Sequence, residues 1–275
     1  MVPPGWNLVR PSAHPPVPAW LWGLEPLTTG LLAQDDLKLW AFGHKAALGI
    51  RSVGVVYPVF CDDDPAPDPG ARDLLNRVPE AWCLMGPSPW VARAEPLMPS
   101  SHIQHRIEYE FLVRPAGPAV LPEGRGEYRR ARAGDLEALF PLQEGYEKEE
   151  VLFDPGEFNA IVSRIHFLKS LKRQEIGALW LDGRAVAKAG TNALTDRWVQ
   201  VGGVYTLPGF RRQGLQKRLL SSLLEGWHAE GRGACLFVKK GNPGALNLYR
   251  SLGFVSSGGF TILYGWRRVL APVFR

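Results

Sequence analysis

The segment VGGVYTLPGFRRQGLQKRLLSSLLEGW, residues 201–227, restricts the fold more than any other stretch of this chain. A β-rich run ends at Tyr205 and Thr206. A turn carries Pro208 and Gly209, and a helix starts directly after Gly214. The apolar residues Leu215, Leu219, Leu220, Leu223, Leu224 and Trp227 recur at helical spacing and define one face. Gly231 supplies a stop. The first four N–H groups of a helix have no partner inside it, and the helix dipole adds roughly half a positive charge there. Gly214 has no Cβ to hold a ligand off the backbone. Arg211, Arg212, Lys217 and Arg218 add positive charge around the turn, so the segment is a candidate cradle for a diphosphate. Taken alone it also fits an ordinary strand–turn–helix with a solvated basic start.

A second segment, GNPGALNLYRSLGF at residues 241–254, adds to the first. Asn242 suits an N-cap, Pro243 suits the first helical turn, and Gly253 closes the helix. Ala245 and Tyr249 are four residues apart and share a face. By itself Tyr249 reads as a tyrosine at the edge of a core.

Periodicity places further elements. In the N-terminal half, residues 17–36, 71–77 and about 90–97 read as helices, and residues 39–43, 53–60, 82–85 and 107–113 as strands. Asp62–Gly70 is a loop rich in Pro and Asp. Three Pro and two Gly between Pro115 and Arg125 mark a boundary, giving an N-terminal α/β domain over 1–125 and a second domain over 126–275. In the latter, strands fall at 127–131, 176–181, 185–193, 198–205, 234–238 and 260–265. Helices fall at 135–150, 158–171, 215–227 and 243–252. Asp182-Gly183 makes a tight hairpin turn.

Residues 1–125 hold 10 Lys and Arg against 13 Asp and Glu, and residues 126–275 hold 22 against 14. The excess positive charge of the second half favours an anionic partner, nucleic acid or a phosphate-bearing molecule. The basic residues lack interleaved exposed aromatics, which argues against nucleic acid. Three widely separated cysteines, Cys61, Cys83 and Cys235, make no disulfide framework, and Cys235 reads as a small buried hydrophobe. The N-terminus has no signal-peptide pattern, and no run nears the ~20 apolar residues of a membrane helix, so a cytoplasmic location is expected. His102-x-x-His105 lacks a third partner for a metal. Neither a GxSxG elbow nor a GxxxxGK[ST] loop occurs. Most of the ten tryptophans are expected in the core, with Trp180 and Trp198 on central strands; an apolar acceptor site could draw on some of the ten, and the sequence singles out none.

Together the two segments resemble the GNAT superfamily of N-acyltransferases. The phosphate signature Arg/Gln-x-x-Gly-x-Gly/Ala matches as Arg211-x-x-Gly214-x-Gln216, with Gln in place of the last small residue. The later signature matches at Asn242, Ala245, Tyr249, Gly253 and Phe254. The resemblance covers roughly residues 127–265, and the order of elements in the N-terminal half resembles a degenerate second unit of that kind. It implies an α/β fold with a mixed, mostly antiparallel central sheet flanked by helices, and acetyl-CoA as co-substrate. Val204, Tyr205 and Thr206 would pair with the pantetheine arm as a strand does. Arg211, Arg212, Gln213, Gly214, Leu215, Gln216 and Lys217 would hold the pyrophosphate, and Asn242 the cofactor arm. Tyr249 would protonate the leaving thiolate, while the acceptor is an amine of unspecified kind. The central strand carries no carboxylate to act as base. Glu144, Glu147, Glu149 and Glu150 are candidates, though a solvated acidic face explains each more simply. A non-catalytic module that binds acyl-CoA as a sensor or scaffold shares the cradle but has no use for a proton donor.

Overall fold

The computed structural model describes residues 6–9, 37–42, 46–51, 54–60, 83–97, 103–118 and 124–265. The first elements are strands β1 (Trp6–Val9), β2 (Leu37–Phe42), β3 (Ala46–Arg51), β4 (Val55–Phe60) and β5 (Cys83–Pro87). Helix α1 (Ser88–Ala94) and strands β6 (Ile103–Arg114) and β7 (Glu127–Arg130) follow. Next come helices α2 (Leu136–Tyr146) and α3 (Ala160–Arg173), then strands β8 (Ile176–Leu181), β9 (Arg184–Leu194) and β10 (Trp198–Thr206). The chain continues with α4 (Leu215–Ala229), β11 (Gly233–Lys239), α5 (Pro243–Ser251) and β12 (Val255–Gly265). The expected helices at 17–36 and 71–77, the loop at 62–70, Cys61 and His102 lie outside the described residues.

Two compact units result. One gathers the described parts of Met1–Val113, Phe237–Asn247 and Val255–Arg268, and the other holds Arg114–Leu236 and Leu248–Phe254. The expected division between residues 125 and 126 had kept the last strand with the second half. The contacts instead give β12 to the first unit, because β5 and β6 pair with it on both sides.

In the first unit the strand order is β1-β2-β3-β4-β5-β12-β6. The pairs are antiparallel except β4 with β5. Helix α1 covers β4, β5 and β12 and buries Val91 and Ala94. It begins at Ser88, earlier than its apolar spacing suggests, since Pro89 in the first turn needs no N–H partner. A 3₁₀ turn at Glu95–Leu97 finishes it. Strand β3, Ala-Ala-Leu-Gly-Ile-Arg, has little intrinsic strand preference and was not expected; β2 and β4 pair with it on either side. Likewise β12 starts at Val255 rather than Phe260. Its Ser-Ser-Gly-Gly stretch is drawn into the ladder with β6, with an irregularity between Ser256 and Gly259.

In the second unit the order is β11-β10-β9-β8-β7, antiparallel except for β10 with β11. Strand β9 is buried without interruption from Ala185 through Thr191, so both of its faces are covered. Alternation along β8 shows which helix covers which face. Ile176 and Ala178 join Leu139, Leu142, Phe167 and Leu171 of α2 and α3, whereas Gly177 faces Leu219 and Leu223 of α4. The hairpin turn has Asp182 and Gly183 both at positive φ, 49° and 78°, as a type I′ turn requires. Asn159 caps α3, its Oδ1 accepting from the N–H groups of Ile161 and Val162. The indole of buried Trp227 donates to Glu175 at 2.7 Å. The whole is the expected mixed, mostly antiparallel α/β arrangement. Among the described residues, no helix is long and apolar enough to cross a membrane.

Leu142 is fully buried between α2 and the sheet, while Ile165 on α3 is 51% exposed. Leu142→Ala should lower unfolding stability by about 2–5 kcal/mol. Ile165→Ala should change it by less than about 0.5 kcal/mol. Urea titration followed by tryptophan fluorescence measures both.

Candidate active site

The centre of the site is the end of β10. Among the described residues, β10 pairs with β11 only from Trp198 opposite Gly233 to Gln200 opposite Cys235. Its ladder with β9 continues to Thr206 opposite Ala187. Irregularities in that ladder fall at Gln200–Val201 and Gly202–Tyr205, and Gly203 sits at φ 60°. The N–H of Leu207 returns to Val186 at 3.0 Å. By strand alternation Val204 and Thr206 therefore turn their N–H and C=O groups away from β9, toward the side where the ladder to β11 has ended. Tyr205, between them, is buried in the core of α2 and α3.

The turn that follows exposes main chain. Arg211 to Gly214 are exposed. Arg212 at φ 61° and Gly214 at φ 75° place two left-handed residues in one short loop, a conformation that gathers N–H groups into a concavity for anions. Among the described residues, no side chain caps the start of α4, and nothing lies within 4 Å of where a Cβ of Gly214 would stand. The first N–H groups of a 15-residue helix thus remain available at its positive end.

The side chains around this loop divide the expected contacts. Arg211 is anchored: its Nε donates to the Thr206 carbonyl at 3.0 Å, and its Nη2 to both oxygens of Glu149 at 3.0 and 2.8 Å. Tyr205 donates to the same carboxylate. Burial first, then Glu149, pushes the Tyr205 phenol up to about 12. Gln213 donates to the Gly209 carbonyl at 3.2 Å. Leu215 is buried in the core and offers only its backbone. Gln216 turns inward, accepting from Thr206 Oγ1 at 2.8 Å and donating toward the Lys188 carbonyl at 3.5 Å. Its bulk is therefore spent beneath the loop, which explains how Gln stands where a small residue is usual. Lys217 is half-buried at the helix start, and Arg218 donates to the Gly124 carbonyl. Asn242 belongs to the first unit and caps α5, its Oδ1 accepting from Ala245 N–H at 3.0 Å.

A cavity of about 150 Å³ adjoins Gly202 and Gly203 and is enclosed by α2, α3, β9 and β10. The straight helix expected over 135–150 instead ends at Tyr146 and widens into a π turn, Glu147–Val151, a feature common at functional sites. The turn sends its acidic residues in different directions. Glu147 lines the cavity, accepting from Gln143 at 2.7 Å and Ser163 at 2.8 Å. Glu149 holds Arg211, and Glu150 lies near enough to Tyr249 to act on its phenol. Glu144 pairs with Lys148 at 2.6 Å, one turn on. Tyr249 is buried, with its ring edge-on to Phe254 at 5.9 Å. Burial first, then Tyr146 and Glu150, raises its phenol above the usual tyrosine range.

Sequence reasoning passed over one residue. Lys188 of β9 is 3% exposed. It lines the cavity, and its Nζ donates to the carbonyl of Gly203, another lining residue, at 2.8 Å. Burial lowers its ammonium to about 7, against the opposing pull of Glu147. The signal was present, since Ala-Val-Ala-Lys-Ala-Gly puts one charge in the middle of an otherwise apolar strand, where it must be paired or shed. Trp180 and Trp198 are not among the residues that line the cavity: Trp180 lies under Arg129 at 3.9 Å, and Trp198 packs over Gly233. Among the described residues no group of His, Cys, Asp or Glu could hold a metal ion.

Comparison with known proteins agrees with this geometry. The model of the acetyltransferase (GNAT) family matches residues 141–254. No curated protein matches the chain. A GNAT-family protein from Novosphingobium aromaticivorans is similar in structure, with TM-score 0.55 and 19% identity over 90% of this chain and 95% of the other. A GCN5-related N-acetyltransferase from Kribbella flavida gives 0.57 and 19%, over 82% and 88%. A GNAT-family acetyltransferase from Colwellia psychrerythraea gives 0.55 and 12%, over 95% and 99%. The match to the acetyltransferase (GNAT) family falls on residues 141–254, which carry the freed edge of β10, the open start of α4 and the cavity beside them.

Proposed function

We propose that the chain is an N-acyltransferase that moves an acetyl group from acetyl-CoA to a primary amine by direct attack. One observation carries the reading. Strand β10 loses its ladder to β11 after Gln200 yet runs on to Thr206, and from there into a helix whose N-terminus no side chain caps among the described residues. A free strand edge matches an extended amide-bearing arm, and an uncapped helix start matches a diphosphate. The two follow one another along the chain, as the two parts of CoA do.

In this reading Val204 N–H stabilises the negative charge that develops on the thioester oxygen. Arg212 and Lys217 flank the phosphates. Arg211, fastened to Glu149 and Thr206, braces the loop, and its exposed guanidinium contributes charge. As the C–N bond forms and the C–S bond breaks, Tyr249 gives its proton to the departing thiolate. With its phenol raised, Tyr249 stays protonated throughout the neutral range and is always ready to donate. The same shift makes full transfer to a thiolate of ordinary pKa near 8.5 an uphill step. The rate gained from it should therefore lie toward the lower end of the 10²–10⁴ typical of general acids.

Saturating CoA or acetyl-CoA, at about 100 times its Kd, should add roughly 2.7 kcal/mol of stability, seen as a rise in Tm. Tyr249→Phe should keep that rise while kcat falls on the order of 10²-fold, measured by thiol release with a panel of amines. A variant that loses the rise as well would remove Tyr249 from the chemistry. The double substitution Arg212→Glu, Lys217→Glu places acid at a helix start. CoA affinity should fall by about tenfold, and the loss should shrink as salt is added. A non-catalytic acyl-CoA sensor would show the Tm rise with no thiol release from any amine.

A further inference from the structure

Resting on that reading, we infer that the cavity beside Gly202 and Gly203 seats a compact polar amine, and that Lys188 is the group that takes the proton from its attacking nitrogen. Four observations lead there. The cavity, about 150 Å³, touches β10 at the two residues just before Val204. A space of that size takes a group of about six non-hydrogen atoms, as benzene fills an apolar cavity of equal volume. A group much larger than that would not fit within it. Its wall is hydrogen-bonding on several sides, with Gln143, Glu147, Asn159, Ser163 and His166 from the helical side and Asn192 from β9.

Among the described residues, Lys188 is the one lysine or arginine on that wall. Its Nζ donates to the Gly203 carbonyl at 2.8 Å and lies 4.6 Å from the Tyr146 ring and 5.6 Å from the Phe167 ring. The titratable side chains that share the cavity with it are Tyr146, Glu147, Glu157 and His166. Of these, Glu147 favours the charged lysine, and Oε1 of Glu147 is already occupied by Gln143 and Ser163. Burial outweighs Glu147, so near neutral pH a large fraction of Lys188 is the free amine, with a lone pair available beside its bond to Gly203. Neutral lysine with a depressed pKa is a competent base at working pH.

The position also couples proton uptake to the chemistry. The carbonyl that Lys188 holds and the N–H of Val204 belong to a single peptide group, whose two dipoles point in opposite directions. The ammonium of the acceptor gives its proton to Lys188, directly or through one water. The freed lone pair forms the C–N bond, and the C–S electrons leave with sulfur, which takes the Tyr249 proton; the second proton of that nitrogen, made acidic by the new bond, passes to solvent, from which Tyr249 recovers its own. Lys188, now charged, polarises the Gly203–Val204 peptide and strengthens the N–H that faces the developing oxyanion. Its proton then returns to solvent.

The test uses the full chain and a panel of small primary amines with acetyl-CoA. In the wild type, kcat/KM should rise with pH through an acid limb near 7, as Lys188 loses its proton. In Lys188→Met the limb should move to the amine's own pKa, near 10, with a loss on the order of 10²-fold or more near neutrality. Lys188→Arg keeps a donor for Gly203 but cannot accept a proton, so it should behave as the Met variant does. A wild-type limb retained in Lys188→Met, or full activity restored by Arg, overturns the proposal. Transfer to no amine at all, with the CoA-induced Tm rise intact, overturns the transferase reading and the base with it. A measurement on unaltered protein needs no variant to fold. Cyanate near neutral pH should carbamylate Lys188 ahead of exposed Lys169 and Lys172, with protection by the amines that are acetylated. Slower modification of Lys188 than of those two, or acetylation of Lys188 itself by acetyl-CoA alone, counts against it.

Discussion

Backbone N–H and C=O groups must find partners, and β10 leaves two residues, Val204 and Thr206, whose groups face away from its remaining ladder. A strand that keeps one neighbour and loses the other is ordinarily an edge, and edges are usually blunted by charge or proline. This one is reached through an irregular stretch at Gly202–Tyr205, which breaks the regular pairing without ending the strand. The freed groups, apart from the Thr206 carbonyl that accepts from Arg211, therefore sit on a strand whose other side is pinned to β9, itself buried without a break from Ala185 to Thr191. Fixed donors on a rigid support are the requirement for stabilising a charge that exists only briefly.

The acidic π turn is what shapes the ground around that strand. A regular helix through Glu150 would have carried Glu147, Glu149 and Glu150 at constant 100° steps. The wider turn separates their tasks, with Glu147 in the cavity, Glu149 on Arg211 and Tyr205, and Glu150 toward Tyr249. Glu149 fastens the loop that precedes α4 to the body of the unit. Arg211 cannot swing freely onto a diphosphate while both of its Nη2 bonds go to that carboxylate. Its role is then structural as much as electrostatic, and the anion falls mainly to the main chain at Arg212–Lys217. All three glutamates serve other side chains, which leaves the base to be sought elsewhere.

Much of this was legible beforehand because it is local. The strand, turn and helix at 198–229, the Asp182-Gly183 hairpin and the Asn242 cap follow from periodicity and capping chemistry alone. What escaped was set by tertiary pairing. Little in Ala46–Arg51 or in Ser256–Gly259 favours a strand until neighbouring strands supply the hydrogen bonds. The π turn escaped for a related reason: its glutamates find partners from other elements, such as Ser163, Arg211 and Tyr205, that no local pattern announces. The inward turn of Gln216 depends on Thr206 ten residues earlier and on the carbonyl of Lys188 across the strand.

Lys188 belongs to a third class, visible in the sequence but not weighed. A lysine among Ala, Val and Gly in a central strand has three possible fates: to reach water, to pair with a carboxylate, or to lose its charge. Its 3% exposure rules out the first. No carboxylate lies within ion-pair distance of its Nζ among the described residues, and its hydrogen bond goes to a neutral carbonyl, which sets the second aside. The third remains, and it has a cost, because a neutral lysine gives the fold no ion pair and displaces a well-packed apolar side chain. Such a residue persists where its lone pair is put to use, and here it opens onto a cavity beside the strand whose N–H groups have been set free.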